Sequence, residues 1–302
     1  MIAKVCPLPR HARVGRTVLV IAGLLYPQTI WSDEIWIAPD RRPGKSDWFD
    51  DPAIPVNGDV ERFDATTLII GGQRFASWRV VDWTVEADSD DEAELIAAIR
   101  DGRQSDVMAK LAGVLKTRPP VWRQQHYVIE AIRSAFALNQ LSIGYKLLEN
   151  LDRRPMAAIV VARLPIDWTG KRSGVRATPK GFGNTDAATA EPIQSDSPAV
   201  RLIAASRLMT GARRDEAARV LSELAKTHDR PVIAGYAKII YATGFPPERF
   251  KATLPAAIEL IERLPPVAQY GPVEMLRRRC RAYAMADMER FLGLLLPDVT
   301  TK

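Results

Sequence analysis

The spacing of apolar residues changes several times along this chain, and each change marks a segment. Residues 17–31 read TVLVIAGLLYPQTIW, an apolar run without a charge. Residues 33–55 are rich in Asp, Pro, Arg and Trp and have no period, which predicts an extended linker. Residues 56–87 change character. Val60, Leu68, Ile70, Phe75, Val80 and Val81 supply apolar strand positions with polar residues between several of them. Asn57-Gly58, Asp64-Ala65 and Gly71-Gly72 are closely spaced turn signals. The pattern predicts three or four short antiparallel strands. A module of about thirty residues buries little alone, so it must pack on the segment C-terminal to it.

From residue 88 the period becomes helical. Asp88-Ser89-Asp90-Asp91-Glu92 opens the first helix with carboxylates that cap free amides and complement the helix dipole. Ile96 and Ile99, then Val107, Leu111, Val114 and Leu115, mark two amphipathic helices broken at Asp101-Gly102 and stopped by Pro119-Pro120. A third helix carries Trp122, Ile129, Ile132, Phe136 and Leu138 and breaks at Asn139-Gln140. A fourth spans residues 141–151, and an apolar stretch over 156–163 ends at Leu164-Pro165. Residues 167–197 are rich in Gly, Thr, Ser and Pro and nearly lack large aliphatics, which predicts a flexible insert between helical segments at 88–166 and 198–297. In the second segment Pro255 should kink or restart a helix, and a weak break is expected near Ala286.

Two helical pairs superimpose when Gly102 and Gly211 are taken as the same turn. Ile96 and Ile99 then match Ala205 and Leu208, while Met108, Ala112 and Leu115 match Ala217, Leu221 and Leu224. The 109 residues between the glycines are about three units of 36, a period typical of helix–turn–helix solenoids. The small residue after the turn and the Pro or Pro-Pro closing a unit resemble tetratricopeptide repeats. The usual aromatic of the second helix is missing, Pro231 comes late, and the insert interrupts the third unit. The expected fold is therefore a mainly α, tetratricopeptide-like solenoid behind a small antiparallel β module.

Charge adds a compartment. The chain has a formal net charge of +6, but Lys4, Arg10, Arg13 and Arg16 stand in the first 32 residues with no Asp or Glu, and without them only +2 remains. Basic residues followed by a short apolar run read as a signal peptide over 1–32, with a mature chain beginning near Asp33 and export to the periplasm or cell envelope. The alternatives are a membrane anchor through residues 17–31, which would keep the chain close to a membrane, and ordinary core. The run is short for a span, which needs about 20 apolar residues.

Chemistry is sparse. Cys6 and Cys280 are the only cysteines, and His11, His126 and His228 are scattered without ligand spacing, so neither a metal nor a cofactor is expected. No nucleophile elbow, phosphate loop, dinucleotide fingerprint or zinc-hydrolase motif occurs. His126 lies in a helical core segment and reads as packed. Arg277-Arg278-Arg279-Cys280-Arg281 fans round a helix and reads as a solvated, paired face rather than a phosphate-binding stripe. Trp31, Trp36, Trp48, Trp78 and Trp83 precede the helices, and packing between sheet and helix accounts for them better than base stacking.

The layout resembles a group of uncharacterised exported proteins of planctomycete-type bacteria, which join a short β segment to degenerate tetratricopeptide-like repeats. Arg79-Val80-Val81, the Trp122-Arg123 helix start, Leu164-Pro165-Ile166-Asp167-Trp168 and the helices over 198–243 carry the resemblance, which covers most of residues 56–297. It implies no catalytic residues. The expectation is a non-catalytic protein-interaction scaffold of the cell envelope, acting on a protein partner through a concave helical surface. The alternatives are a nucleic-acid-binding protein using the β module, which the export signal and the remaining charge disfavour, and an envelope enzyme with an unrecognised site.

Overall fold

A computed structural model describes residues 33–40, 53–168, 191–209 and 211–295. The chain divides at Ser32 into two units, Met1–Trp31 and Ser32–Lys302, and everything described belongs to the second. The signal-peptide and anchor readings, Trp31 and Trp48, most of the linker, and residues 169–190 of the insert fall outside the described residues.

Six short strands form two three-stranded antiparallel sheets. β1 (Glu34–Ile37) lies between β2 (Ile54–Asn57) and β6 (Val80–Thr84), and β4 (Thr67–Ile70) lies between β3 (Val60–Phe63) and β5 (Gln73–Ala76). The expected turns are where their chemistry puts them. Asp64 Oδ1 accepts from the Thr66 and Thr67 amides at 2.9 Å each. Gly71 and Gly72, at φ 52° and 74°, form the two-residue connection between Ile70 and Gln73 that a right-handed twist favours. The linker reading needs correction at both ends, since β2 begins within it at Ile54. β1 falls inside it and is a central strand, with Ile35 and Ile37 fully buried. Its pairing partners are remote in sequence, and the Asp- and Pro-rich surroundings hide a four-residue alternation.

Eleven helices come next among the described residues: α1 (Asp90–Arg100), α2 (Gln104–Lys116), α3 (Val121–Ala137), α4 (Leu141–Leu151), α5 (Ala158–Ala162), α6 (Pro198–Leu208), α7 (Arg214–Leu224), α8 (Pro231–Thr243), α9 (Pro247–Glu262), α10 (Tyr270–Ala282) and α11 (Ala286–Leu294). Most helices pack on their sequence neighbours, so the chain runs as successive helical hairpins. Asn139 (φ 59°) and Ala284 (φ 55°) adopt left-handed turns between α3 and α4 and between α10 and α11. Pro255 lies inside α9 without ending it. It is exposed, so solvent can satisfy the carbonyl that loses its helical donor.

Two helix starts and five buried positions recur at an offset one residue longer than that of the glycines. From Gln104 to Arg214 and from Val121 to Pro231, helix starts are separated by 110 residues. Buried residues keep the same offset: Leu95, Ala98, Val107, Leu111 and Val114 match Ala205, Leu208, Ala217, Leu221 and Leu224. Ile96, Ile99, Met108 and Leu115 are only half-buried, and Ala112 is exposed. Gly211 sits in a longer turn than Gly102, so aligning the two glycines displaces the helices they join.

Asp152 ties the two helical segments together, in part through Ser197 at the end of the expected insert. Its buried carboxylate accepts from Ser197 Oγ at 2.6 Å and the Ala199 amide at 3.0 Å, capping α6, and Arg230 Nη1 lies 3.3 Å away. No helix among the described residues is long and apolar enough to cross a membrane.

Candidate functional site

The chain enters α3 from Pro119-Pro120, and Trp122, Ile129 and Ile132 bury an apolar face against the neighbouring helices. A second buried face is polar. Arg123, His126, Tyr127, Glu130 and Ser134 follow helical spacing along it. The stripe meets the β module at its N-terminal end and a pocket at its C-terminal end.

At the first end Arg123 gathers three carboxylates. Nη1 donates to Asp88 at 2.6 Å and to Glu92 at 3.3 Å, and Nη2 donates to Asp33 at 3.1 Å. The side chains of Arg123, Asp33 and Glu92 are 8 %, 5 % and 3 % exposed, whereas that of Asp88 is 69 % exposed. Glu92 also accepts from the Asp88 amide at 2.7 Å and from the Tyr127 hydroxyl at 3.1 Å, while Asp33 accepts from the Glu86 amide at 3.1 Å. Burial pushes the Asp33 carboxyl above its ordinary value despite the Glu86 amide and Arg123. Burial opposes the charge on Arg123, but Asp33, Asp88 and Glu92 together outweigh it. The network fastens β1 to α1 and α3, and Ser89 Oγ accepts from the Glu92 amide at 3.3 Å to cap α1.

His126 occupies the middle of the stripe. Its ring lies 5.3 Å from those of Trp83 and Tyr127, and its Nδ1 is buried without a partner. Burial, then Arg163 and Arg123, push its pKa down to about 3, so the imidazole is neutral at physiological pH. The neutral ring packs edge-on against Trp83. Trp83 is edge-on to both Phe63 and His126 and so serves as the expected contact between sheet and helix.

At the other end lies a pocket of about 430 Å³, lined by α1, the turn at Gly102, α2, α3, the Pro165-Ile166 segment and Arg207 of α6. Its size is in the range of small-ligand sites. Glu130 takes Arg133 at 2.8 Å and Arg163 at 3.1 Å, and Arg163 extends to Asp82 at 3.0 Å.

Compared with models of known protein families, with curated proteins and with solved structures, the chain matches none. The reading of the site therefore rests on its geometry. Among the described residues no three His, Cys, Asp or Glu side chains are grouped to hold a metal ion. The basic run of α10 is engaged locally: Arg277 and Arg278 pair with Glu274 at 3.3 and 2.7 Å, Arg281 pairs with Glu289 at 2.6 Å, and Arg279 packs on Tyr283. Sequence reasoning named no binding residue. It missed the Arg123 network and the pocket because their members are dispersed: Asp33 and Arg123 lie 90 positions apart. The only local signal was a charged residue recurring on one face of an otherwise apolar helix.

Proposed function

We propose that this chain is a non-catalytic protein-interaction scaffold of the cell envelope, built on tetratricopeptide-like helical hairpins. The observation that carries the reading is the common burial register of α1–α2 and α6–α7, which are offset by 110 residues. Units of this sort bury their apolar faces only against neighbours, and their stacking leaves an extended surface for a partner. The pocket between the first hairpins and α6 adds a concave feature to that surface. Export is supported by the position of Asp33, whose buried ion pair begins the folded body directly after the basic and apolar leader. The nucleic-acid reading draws no support from α10, whose arginines are occupied.

A photo-cross-linking residue at Gln104, on the pocket rim, tests the scaffold reading in the native host, with Lys251 of α9 as the control position. A discrete protein adduct at position 104 that is absent at 251 is expected. Adducts at neither position, or the same set at both, overturn the reading. N-terminal sequencing of the envelope fraction tests export: a chain starting near Asp33 is expected, and a chain retaining Met1 in the cytoplasm refutes it.

A further inference from the structure

The pocket at the end of α3 holds one cation more than its own anions can neutralise. Glu130 is shared by Arg133 and Arg163, and Arg163 also engages Asp82, so these two acids and two bases balance. Arg207 is additional. Its guanidinium sits 4.8 Å from the centre of the Phe136 ring, its Nε is buried with no acceptor, and no carboxylate among the described residues pairs with it. Arg207 as a whole is half-buried, and a guanidinium that keeps its charge can offer its outer N–H groups to an oxyanion in the pocket. Arg133 uses Nη1 on Glu130, which leaves further N–H groups of its fork for a second acceptor. Of the remaining wall, Ala98, Ile99, Val107, Phe136 and Ile166 are apolar, while Gln104 and Ser134 are polar.

We propose that this pocket binds a carboxylate joined to a compact apolar group, with the carboxylate on Arg207 and Arg133 and the apolar group against Ile99, Val107 and Ile166. A single surplus cation suits a monoanion, and the apolar wall gives no return to a ligand that is polar throughout. A free organic acid and the C-terminal residue of a peptide share this chemistry. The proposal does not depend on the scaffold reading.

The test is calorimetric titration of the whole protein with two matched pairs of probes. The first pair is hexanoate and hexanamide; the second is acetyl-Ala-Leu with a free carboxylate and the same dipeptide amidated. An acid is expected to bind at least about tenfold more tightly than its amide, because one charge-assisted hydrogen bond accounts for about ten- to a hundredfold. A preference for hexanoate assigns the site to free acids, and a preference for the dipeptide acid assigns it to chain termini. Arg207→Met keeps an apolar contact with Phe136 and should abolish the acid–amide difference while the circular dichroism melt is unchanged. If that variant does not fold, Gln104→Trp supplies the second arm: it occludes the rim from an exposed position and should abolish binding of both acids. Equal affinity for acid and amide, no binding of either acid at millimolar concentration, or an acid preference that survives Arg207→Met overturns the proposal. Cross-linking at Gln104 is scored separately, so loss of acid binding with a retained protein adduct refutes the ligand assignment alone.

Discussion

Replacing Arg123 with Met removes the charge from the network while keeping a straight apolar side chain, and the cost can be worked from the partners left behind. Asp88 is exposed and regains water. Glu92 keeps donors in the Asp88 amide and the Tyr127 hydroxyl. Asp33 keeps the Glu86 amide but loses its only cation among the described residues, with its side chain 5 % exposed. Its lowest-energy escape is to take up a proton. For a carboxyl that ordinarily titrates near pH 4, protonation costs about 4 kcal/mol at about pH 7 and about 1.5 kcal/mol at about pH 5. The first figure falls within the roughly 3–5 kcal/mol expected when one partner of a buried pair is removed. The sign is set by the direction of the shift. Asp33 is already raised in the folded protein, and losing Arg123 raises it further. A raised carboxyl contributes stability that is present below its unfolded pKa and is lost as pH rises through its folded pKa. Because the parent's Asp33 is itself raised, Arg123→Met should lie at most about 4 kcal/mol below the parent in urea unfolding at about pH 7, and the gap should shrink to at most about 1.5 kcal/mol at about pH 5. A gap under about 1 kcal/mol at neutral pH, or one that does not change with pH, would refute the account of Asp33 as a desolvated anion held by Arg123.

Three further outcomes test the helical packing. Ala217 is fully buried in α7 whereas Ala218 is half-buried, so Ala217→Leu should cost about 1–3 kcal/mol in thermal melts and Ala218→Leu about 0.5 kcal/mol; equal losses would contradict the 110-residue register. A methyl on Gly144 would fall 2.6 Å from Phe136, whose ring is set edge-on against Tyr145 at 5.1 Å, so Gly144→Ala should lower the melting temperature of the protein, and an unchanged melt would show that the α3–α4 contact yields. Cys280 is fully buried, and burial followed by Glu289 pushes its thiol up to about 11; in a Cys6→Ser background it should react with a thiol reagent in mildly alkaline buffer only after denaturation, and rapid native labelling would contradict that burial.

Local chemistry announced much of this architecture. Gly102, Asn139 and Pro119-Pro120 mark helix ends because a left-handed residue or a missing amide stops a helix wherever it stands. Ser89 and the following carboxylates cap α1 for reasons contained within four residues. The glycines are offset by one residue fewer than the buried positions, because turns of different length place their glycines differently. β1 escaped notice because EIWI is short and its order comes from strands beginning at Ile54 and Val80. The polar stripe was hidden for a similar reason. His126 and the charges of α3 are meaningful only beside Asp33, Trp83, Arg163 and Arg207, and residue spacing carries no sign of which distant side chain will stand opposite.

The Asp33–Arg123 pair also sets an order of events during synthesis. β1 emerges before every other described element, yet β6 and the counter-charge of Asp33 come much later in the chain. At about 5–20 residues per second, the 90 residues between Asp33 and Arg123 take roughly 5–20 s to make. The leading strand lacks a complete sheet for the first half of that interval, and Asp33 lacks its counter-charge throughout. The β module is thus made before the helices, and its docking waits on the third of them.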